Sequence, residues 1–148
     1  MGVGGVLAIY RSKGSEVDTT AIDVAARARG VEVAYPRVVD GQHQLAFHLV
    51  GIDELVPSRF GLREPRADAP SVEIARIGAF VIPGLAFDRS GVRLGWGLGH
   101  YDATLVVADP RAFRIGLAFE CQMVDSVPHD PHDQRLHVII TEVATHVA

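Results

Sequence analysis

Short, continuous apolar runs recur along the chain and are separated by amphipathic or glycine- and proline-rich segments. Val6-Leu7-Ala8-Ile9-Tyr10 has no polar alternation, the pattern of a strand buried on both faces. Thr20 to Arg29 follows, with Ile22, Ala25 and Ala26 as one apolar stripe, Asp18 and Thr19 as caps, and Gly30 as a terminator. Val31-Glu32-Val33-Ala34-Tyr35 reads as a second strand stopped by Pro36. Strand, helix and strand in this span predict a βαβ unit with a right-handed crossover. Leu45, Phe47 and Leu49 alternate with Gln44, Ala46 and His48, which predicts a half-buried strand. A short helical turn is expected within Ile52 to Phe60, and Pro57, Pro65 and Pro70 break the remainder into loop. Ala79-Phe80-Val81-Ile82 is another buried strand, ended by Pro83 and Gly84. A helix from about Gly99 to Ala108 places Tyr101, Leu105 and Ala108 on one face, and two further strands span 114–119 and 138–141. There is no internal repeat, linker or break in composition, so the pattern predicts a single three-layer αβα domain with a mostly parallel central sheet.

Composition narrows the class. The 148 residues suffice for one domain with a real core, and 48% apolar content excludes a disordered chain. The net charge of −4, from 14 basic and 18 acidic residues, argues against broad nucleic-acid binding. No apolar run is long enough to span a membrane, and Met1-Gly2-Val3-Gly4-Gly5 lacks the basic start and apolar core of a signal peptide. Cys121 is the sole cysteine, which fits a reducing cytoplasm and reads as a small buried apolar residue.

The chemistry concentrates in Arg93-Leu94-Gly95-Trp96-Gly97-Leu98-Gly99-His100-Tyr101-Asp102. Alternating glycines allow close backbone approach to a ligand, and successive N–H groups can form an anion-binding concavity. Arg93 adds a planar cation suited to phosphate, and Asp102 is a hard oxygen ligand suited to Mg²⁺. The dinucleotide fingerprint fails because its sixth position falls on His100, and the lysine-serine/threonine ending of a P-loop is missing. Two readings remain open on the residues alone: a site for a magnesium-bound nucleotide, or a turn into a helix that binds nothing. Trp96 either covers a planar ligand or packs the loop on the domain. Pro128-His129-Asp130-Pro131-His132-Asp133 resembles a metal cluster at first sight. Its prolines oppose a helix and zinc needs three or four ligands, so it reads as a polar loop in which Asp133 is a candidate Mg²⁺ ligand. Glu16 follows the first strand and reads as a loop acid or helix-start charge.

These segments resemble the 5-formyltetrahydrofolate cyclo-ligase family. The similarity rests on Val81-Ile82-Pro83-Gly84-Leu85-Ala86-Phe87-Asp88 and the run Arg93 to Asp102. Ile115-Gly116-Leu117-Ala118-Phe119, Gln122, Val127-Pro128, His132-Asp133 and Thr141-Glu142 follow in the same order. Tyr10, Glu16-Val17-Asp18-Thr19 and Pro36-Arg37-Val38 match the earlier blocks more weakly, so the resemblance runs from about Val6 to Glu142.

The resemblance implies ATP- and Mg²⁺-dependent closure of 5-formyltetrahydrofolate to 5,10-methenyltetrahydrofolate, with ADP and phosphate released. It implies Arg93 and Tyr101 in catalysis, and ATP held by Arg93, Leu94, Gly95, Trp96, Gly97, Leu98, Gly99, His100 and Tyr101. It further implies folate contacts from Glu16, Trp96, Gly97, Leu98, Gly99 and His100, and Mg²⁺ on Asp102 and Asp133. The expected partners are the folate and ATP, with no nucleic acid and no membrane, in a cytoplasmic monomer or weak homodimer. Two local departures are His100, where the family usually has tyrosine, and Ala103, where a basic residue is frequent. The chain starts almost at the first strand, so the family's basic N-terminal helix is expected to be absent and ATP to be held less firmly. The alternatives are a non-catalytic folate- or nucleotide-binding relative, and an unrelated α/β domain whose glycine loop is only structural.

Overall fold

The computed structural model describes residues 5–148; the glycine-rich lead at Met1 to Gly4 lies outside the described residues. In chain order the elements are β1 (Val6–Ile9), α1 (Thr20–Ala28), β2 (Glu32–Arg37), β3 (Ala46–Leu49), β4 (Val56–Pro57), β5 (Arg63–Glu64), β6 (Ser71–Val72), β7 (Ile77–Ile82), β8 (Ala86–Phe87), β9 (Arg93–Leu94), α2 (His100–Val107), β10 (Phe113–Leu117), β11 (Val138–Ile140) and β12 (Thr145–Val147). Eight strands form one sheet in the order β12-β11-β10-β7-β1-β2-β3-β6. The five middle strands β11, β10, β7, β1 and β2 pair in parallel, and β12, β3 and β6 attach antiparallel.

The apolar runs produce this sheet because alternate residues fill opposite layers. Val6, Ala8, Phe80 and Ile82 pack on the side of Leu105 and Ala108 in and just after α2. Leu7, Ile9, Ala79 and Val81 pack on the other side, with Ile22 and Ala26 of α1. Ile77 would fall on the α1 side by simple alternation. A register shift between Val6/Leu7 and Ile77/Ala79 moves it to the α2 side, where it is fully buried. The two helices therefore cover opposite faces, which is the three-layer arrangement predicted.

Several expectations change in detail. Pro36 does not end its strand: pairing with β1 stops at Ala34, and beyond it β2 continues against β3 to Arg37. β3 is not half-exposed, because His48 is only 2% exposed and stands between the Arg37 Nε donor (3.0 Å) and the Ala69 carbonyl (3.0 Å). The span between Pro57 and Pro70 is not all loop: β4 and β5 form a small hairpin, and β6 joins the main sheet. The free N–H at the start of α1 is taken by Asp18, which accepts from Thr20 N at 2.9 Å, whereas the Thr19 hydroxyl donates to Tyr10 O at 2.7 Å.

The buried stripe of α1 contains Asp23, while Ala25 faces solvent. Asp23 accepts from the Tyr35 hydroxyl and from Arg27 Nε at 2.5 Å, and Arg27 also donates to Val50 O at 2.6 Å. A polar anchor thus ties the helix to β2, and burial together with the Asp23 contact pushes the Tyr35 pKa up. Asp23→Ala strands a buried phenol and is expected to destabilise the fold by about 2–3 kcal/mol. Denaturant unfolding of the two proteins measures this, and a midpoint unchanged from wild type would show that the anchor contributes nothing.

Candidate functional site

The connection from β1 runs through α1 to β2, and that from β7 runs through α2 to β10. β1 and β7 are neighbours, and the helices that follow them lie on opposite faces. Their carboxyl ends therefore open between two diverging connections, the place where open α/β sheets bind ligands. The β1 side supplies residues 10–18, with Glu16. The β7 side supplies the segment from Pro83 to Asp102, with Arg93 and the glycine loop.

Arg93 is the first residue of β9, the second strand of the β8–β9 hairpin. Its Nη1 donates to the Pro83 carbonyl at 2.9 Å, just beyond β7, and its guanidinium lies 5.2 Å from the Tyr101 ring centroid. Its Nε is buried without a hydrogen-bond partner among the described residues. Burial lowers the Arg93 pKa, opposed by the charges of Asp102, Tyr101 and Asp133. The arginine stays charged at any physiological pH and retains unused donor capacity inside the site. Gly95 makes room for it: a Cβ there would lie 2.8 Å from Arg93 Nη1.

The loop turns at Gly97 (φ 86°) and at Gly99 (φ 72°), which begins α2. Trp96 is 70% exposed, so it does not pack the loop on the domain, and Leu98 is also exposed. His100 Nδ1 lies 2.8 Å from the His43 carbonyl, so its ring ties the first turn of α2 to the β2–β3 connection. Tyr101 is half-buried against the core; burial raises its pKa, opposed by Arg93 and reinforced by Glu16.

Glu16 closes the other side. Its Oε1 accepts from Lys13 N at 2.7 Å; burial raises its pKa, opposed by that hydrogen bond and the Lys13 charge. Tyr10 has its pKa pushed up by burial and by the charges of Glu16, Tyr101 and Asp18, and its hydroxyl donates to Val17 O at 2.8 Å. Lys13 Nζ donates to the Phe60 carbonyl. Phe60 combines 77% exposure with a φ of 58°, the only positive φ outside glycine among the described residues. Strain of this kind collects at ligand sites. Phe60 carries no sequence signal that would have marked it, whereas Lys13 stands out, with Arg11 and Arg89, as a cation able to substitute for a basic N-terminal helix.

Asp102, in the first turn of α2, accepts from Gln134 N at 3.1 Å, and Asp133 accepts from Asp130 N at 3.0 Å. Asp102 thus bonds to the residue that follows Asp133, and the charges of both acids act on Arg93. Among the described residues no three His, Cys, Asp or Glu side chains are close enough to hold a metal together. Two carboxylates with remaining oxygen positions fit Mg²⁺, which keeps several waters, and do not fit zinc. His129 and Arg135 instead line a cavity of about 330 Å³ together with Val92 and Asp133. Cys121 is exposed rather than buried, and no helix among the described residues is long and apolar enough to cross a membrane.

Comparison with known proteins identifies the family. The sequence matches the profile of the 5-formyltetrahydrofolate cyclo-ligase family over residues 4–142. A 5-formyltetrahydrofolate cyclo-ligase of Mycolicibacterium smegmatis is 40% identical over 88 residues, 59% of this chain and 45% of that protein. The corresponding protein of Haemophilus influenzae is 29% identical over 142 residues, 90% of this chain and 74% of that protein. The chain spans about half the length of the first curated relatives it matches. Among solved structures, the 5,10-methenyltetrahydrofolate synthetase of Aquifex aeolicus superposes with a TM-score of 0.78 at 27% identity, covering 95% of this chain and 70% of that one. The synthetase of Mycoplasma pneumoniae, at 23% identity and a TM-score of 0.72, covers 92% of this chain and 72% of that one and shares the fold. With the profile match spanning nearly every residue from the first strand to the end of the rim, the chain belongs to the 5-formyltetrahydrofolate cyclo-ligase family.

Proposed function

We propose that this protein closes 5-formyltetrahydrofolate to 5,10-methenyltetrahydrofolate at the expense of ATP, releasing ADP and phosphate. The observation that carries the reading is the charged pair at the β1–β7 junction: the Arg93 guanidinium with the glycine loop on one side and the Glu16 carboxylate on the other, both acting on Tyr101 between them. The formyl oxygen is a poor leaving group until it is phosphorylated. Phosphorylation makes it leave as phosphate when N10 attacks the formyl carbon, and N10 gives up its proton to solvent as the ring closes. ATP supplies the phosphoryl group, and ADP departs.

The residues have separable tasks in this reaction. Arg93 stabilises the negative charge that develops on the transferring phosphoryl oxygens, using donors already fixed in a dry site. Tyr101 supports the guanidinium by its ring face. The loop from Leu94 through His100 offers backbone N–H groups to the phosphates and, with Trp96, borders the folate. Glu16 holds the folate from the opposite side. Asp102 and Asp133 would hold Mg²⁺, which neutralises phosphate charge when bound.

The first test mixes the 148-residue chain with 5-formyltetrahydrofolate, ATP and Mg²⁺ and follows methenyltetrahydrofolate absorbance against an ATP-free control. Product that depends on ATP is expected. Tight folate binding without turnover would replace the proposal by a binding-only relative, and failure to bind either ligand would leave the loop a structural turn. Asp102→Ala is expected to reduce turnover roughly 100-fold or more and to flatten its Mg²⁺ dependence, because the cation loses a ligand. Near-normal rates would remove Asp102 from the metal site. Gly95→Ala, whose Cβ meets Arg93 Nη1 at 2.8 Å, is expected to lower kcat on the order of 10- to 100-fold with a smaller change in folate binding. An unaffected kcat would show that the position of Arg93 is not critical.

A further inference from the structure

Arg93 and Asp133 lie 40 positions apart in sequence, and no strand pairing joins the segments that carry them. What joins them is the turn at residues 88–92, between β8 and β9. Asp88, 5% exposed, accepts four hydrogen bonds there. Its Oδ1 takes Ser90 N (2.9 Å), Ser90 Oγ (2.6 Å) and Val92 N (3.2 Å), which shape the turn. Its Oδ2 takes Val127 N at 2.9 Å, at the start of the loop that carries Asp133. The end of that loop is fixed to the same turn, because Leu136 N donates to Gly91 O at 2.8 Å. Between the two ends, Arg135 Nη1 reaches Ser90 O at 3.4 Å. Gly91, with a φ of 87°, allows this docking, since a Cβ there would run into the Leu136 carbonyl.

Both ends of the 127–136 loop are thus fastened to one five-residue turn, and the next residue in the chain is Arg93. We infer that Asp88 is a positioning residue that sets the distance between Asp133 and Arg93, and so aligns the cation with the phosphate it neutralises. The inference rests on the reading that Asp102 and Asp133 hold Mg²⁺. A buried carboxylate used only to fill space would be a poor choice, since desolvation disfavours its charge. Here burial raises the Asp88 pKa, but the bonds from Ser90, Val127 and Val92 outweigh it and hold the carboxyl below its ordinary value. All four of its bonds hold this turn and the adjoining loop, and none reaches a core strand of the sheet.

Asp88→Asn tests the inference, because it preserves shape but presents an amide to donors that need an acceptor. The measurement is Mn²⁺ binding in the presence of ADP, followed by electron paramagnetic resonance on the full chain, with Asp102→Ala as the reference for a lost ligand. Wild type binds Mn²⁺ with ADP, and Asp88→Asn is expected to weaken this about ten-fold at unchanged stoichiometry and unchanged circular dichroism. A purely structural role would lower the number of competent sites and leave the dissociation constant alone, and that result overturns the inference. Wild-type affinity in the folded variant overturns it as well, as does a wild type that takes up no Mn²⁺. If Asp88→Asn does not fold, Ser90→Ala decides: it deletes one bond to Oδ1, and a roughly two- to three-fold weaker Mn²⁺ affinity is expected, with no change counting against the inference. No folate is present in the assay, so Mn²⁺ binding by a chain that fails to close the folate would sink the proposed activity and leave this inference standing.

Discussion

Parallel pairing between β1 and β7 is the constraint on which the rest of the molecule depends. Each strand is buried on both faces, so neither face can carry a ligand. Parallel strands also require a crossover, and here α1 leaves toward one face and α2 toward the other. The two connections cannot fill the space directly above the strand ends, and backbone from both must pass along its sides. A loop rich in glycine leaves on one side and a short acidic loop on the other. The candidate site residues Glu16 and Arg93 to Asp102 are those that leave the sheet at this point.

Electrostatics at the candidate site are unbalanced in a useful way. Arg93 is withdrawn from water and one of its nitrogens has no partner, which is costly in a protein that binds nothing. Nearby acids compensate only in part, since Asp102 and Asp133 also lend oxygens to backbone N–H groups of the adjacent loop. A half-buried cation that feels the charges of two carboxylates is the arrangement on which the proposed handling of a phosphate and its metal rests. The neighbouring phenols of Tyr10 and Tyr101 remain protonated throughout the physiological range, their pKa values pushed up by burial, so they contribute hydrogen bonds and ring faces and no further charge.

The three layers and the mostly parallel pairing were legible in the sequence because continuous apolar runs admit few other structures, whereas the order of the strands across the sheet was not. The glycine loop was legible as a loop running into a helix, because its glycines permit the positive φ values seen at Gly97 and at Gly99, where α2 begins. What was not legible depended on contacts between distant segments. Asp23 occupies a core position on α1 only because Tyr35 and Arg27 satisfy it, and neither partner lies at a spacing that a helical stripe displays in advance, apart from the i+4 arginine. His48 is buried by the same kind of long-range match with Arg37 and Ala69. Pro36 continues a strand because the pairing with β1 has already ended, a matter of register and not of local propensity. The Asp88-Arg89-Ser90-Gly91 turn had a readable signature, an aspartate two residues before a serine and three before a glycine, but its attachment to Val127 and Leu136 did not.

The sheet ends in two very small strands, β6 with two residues and β12 with three. An eight-stranded sheet would otherwise present two long rows of unpaired amides and carbonyls, each a template on which a neighbouring molecule could add its own strand. Edges this short offer too few hydrogen bonds to hold such an addition. The exposed valines at positions 143 and 147 therefore sit beside a margin that cannot extend them into a growing fibre. The short margins therefore leave a broad apolar sheet with little backbone open to edge-to-edge pairing.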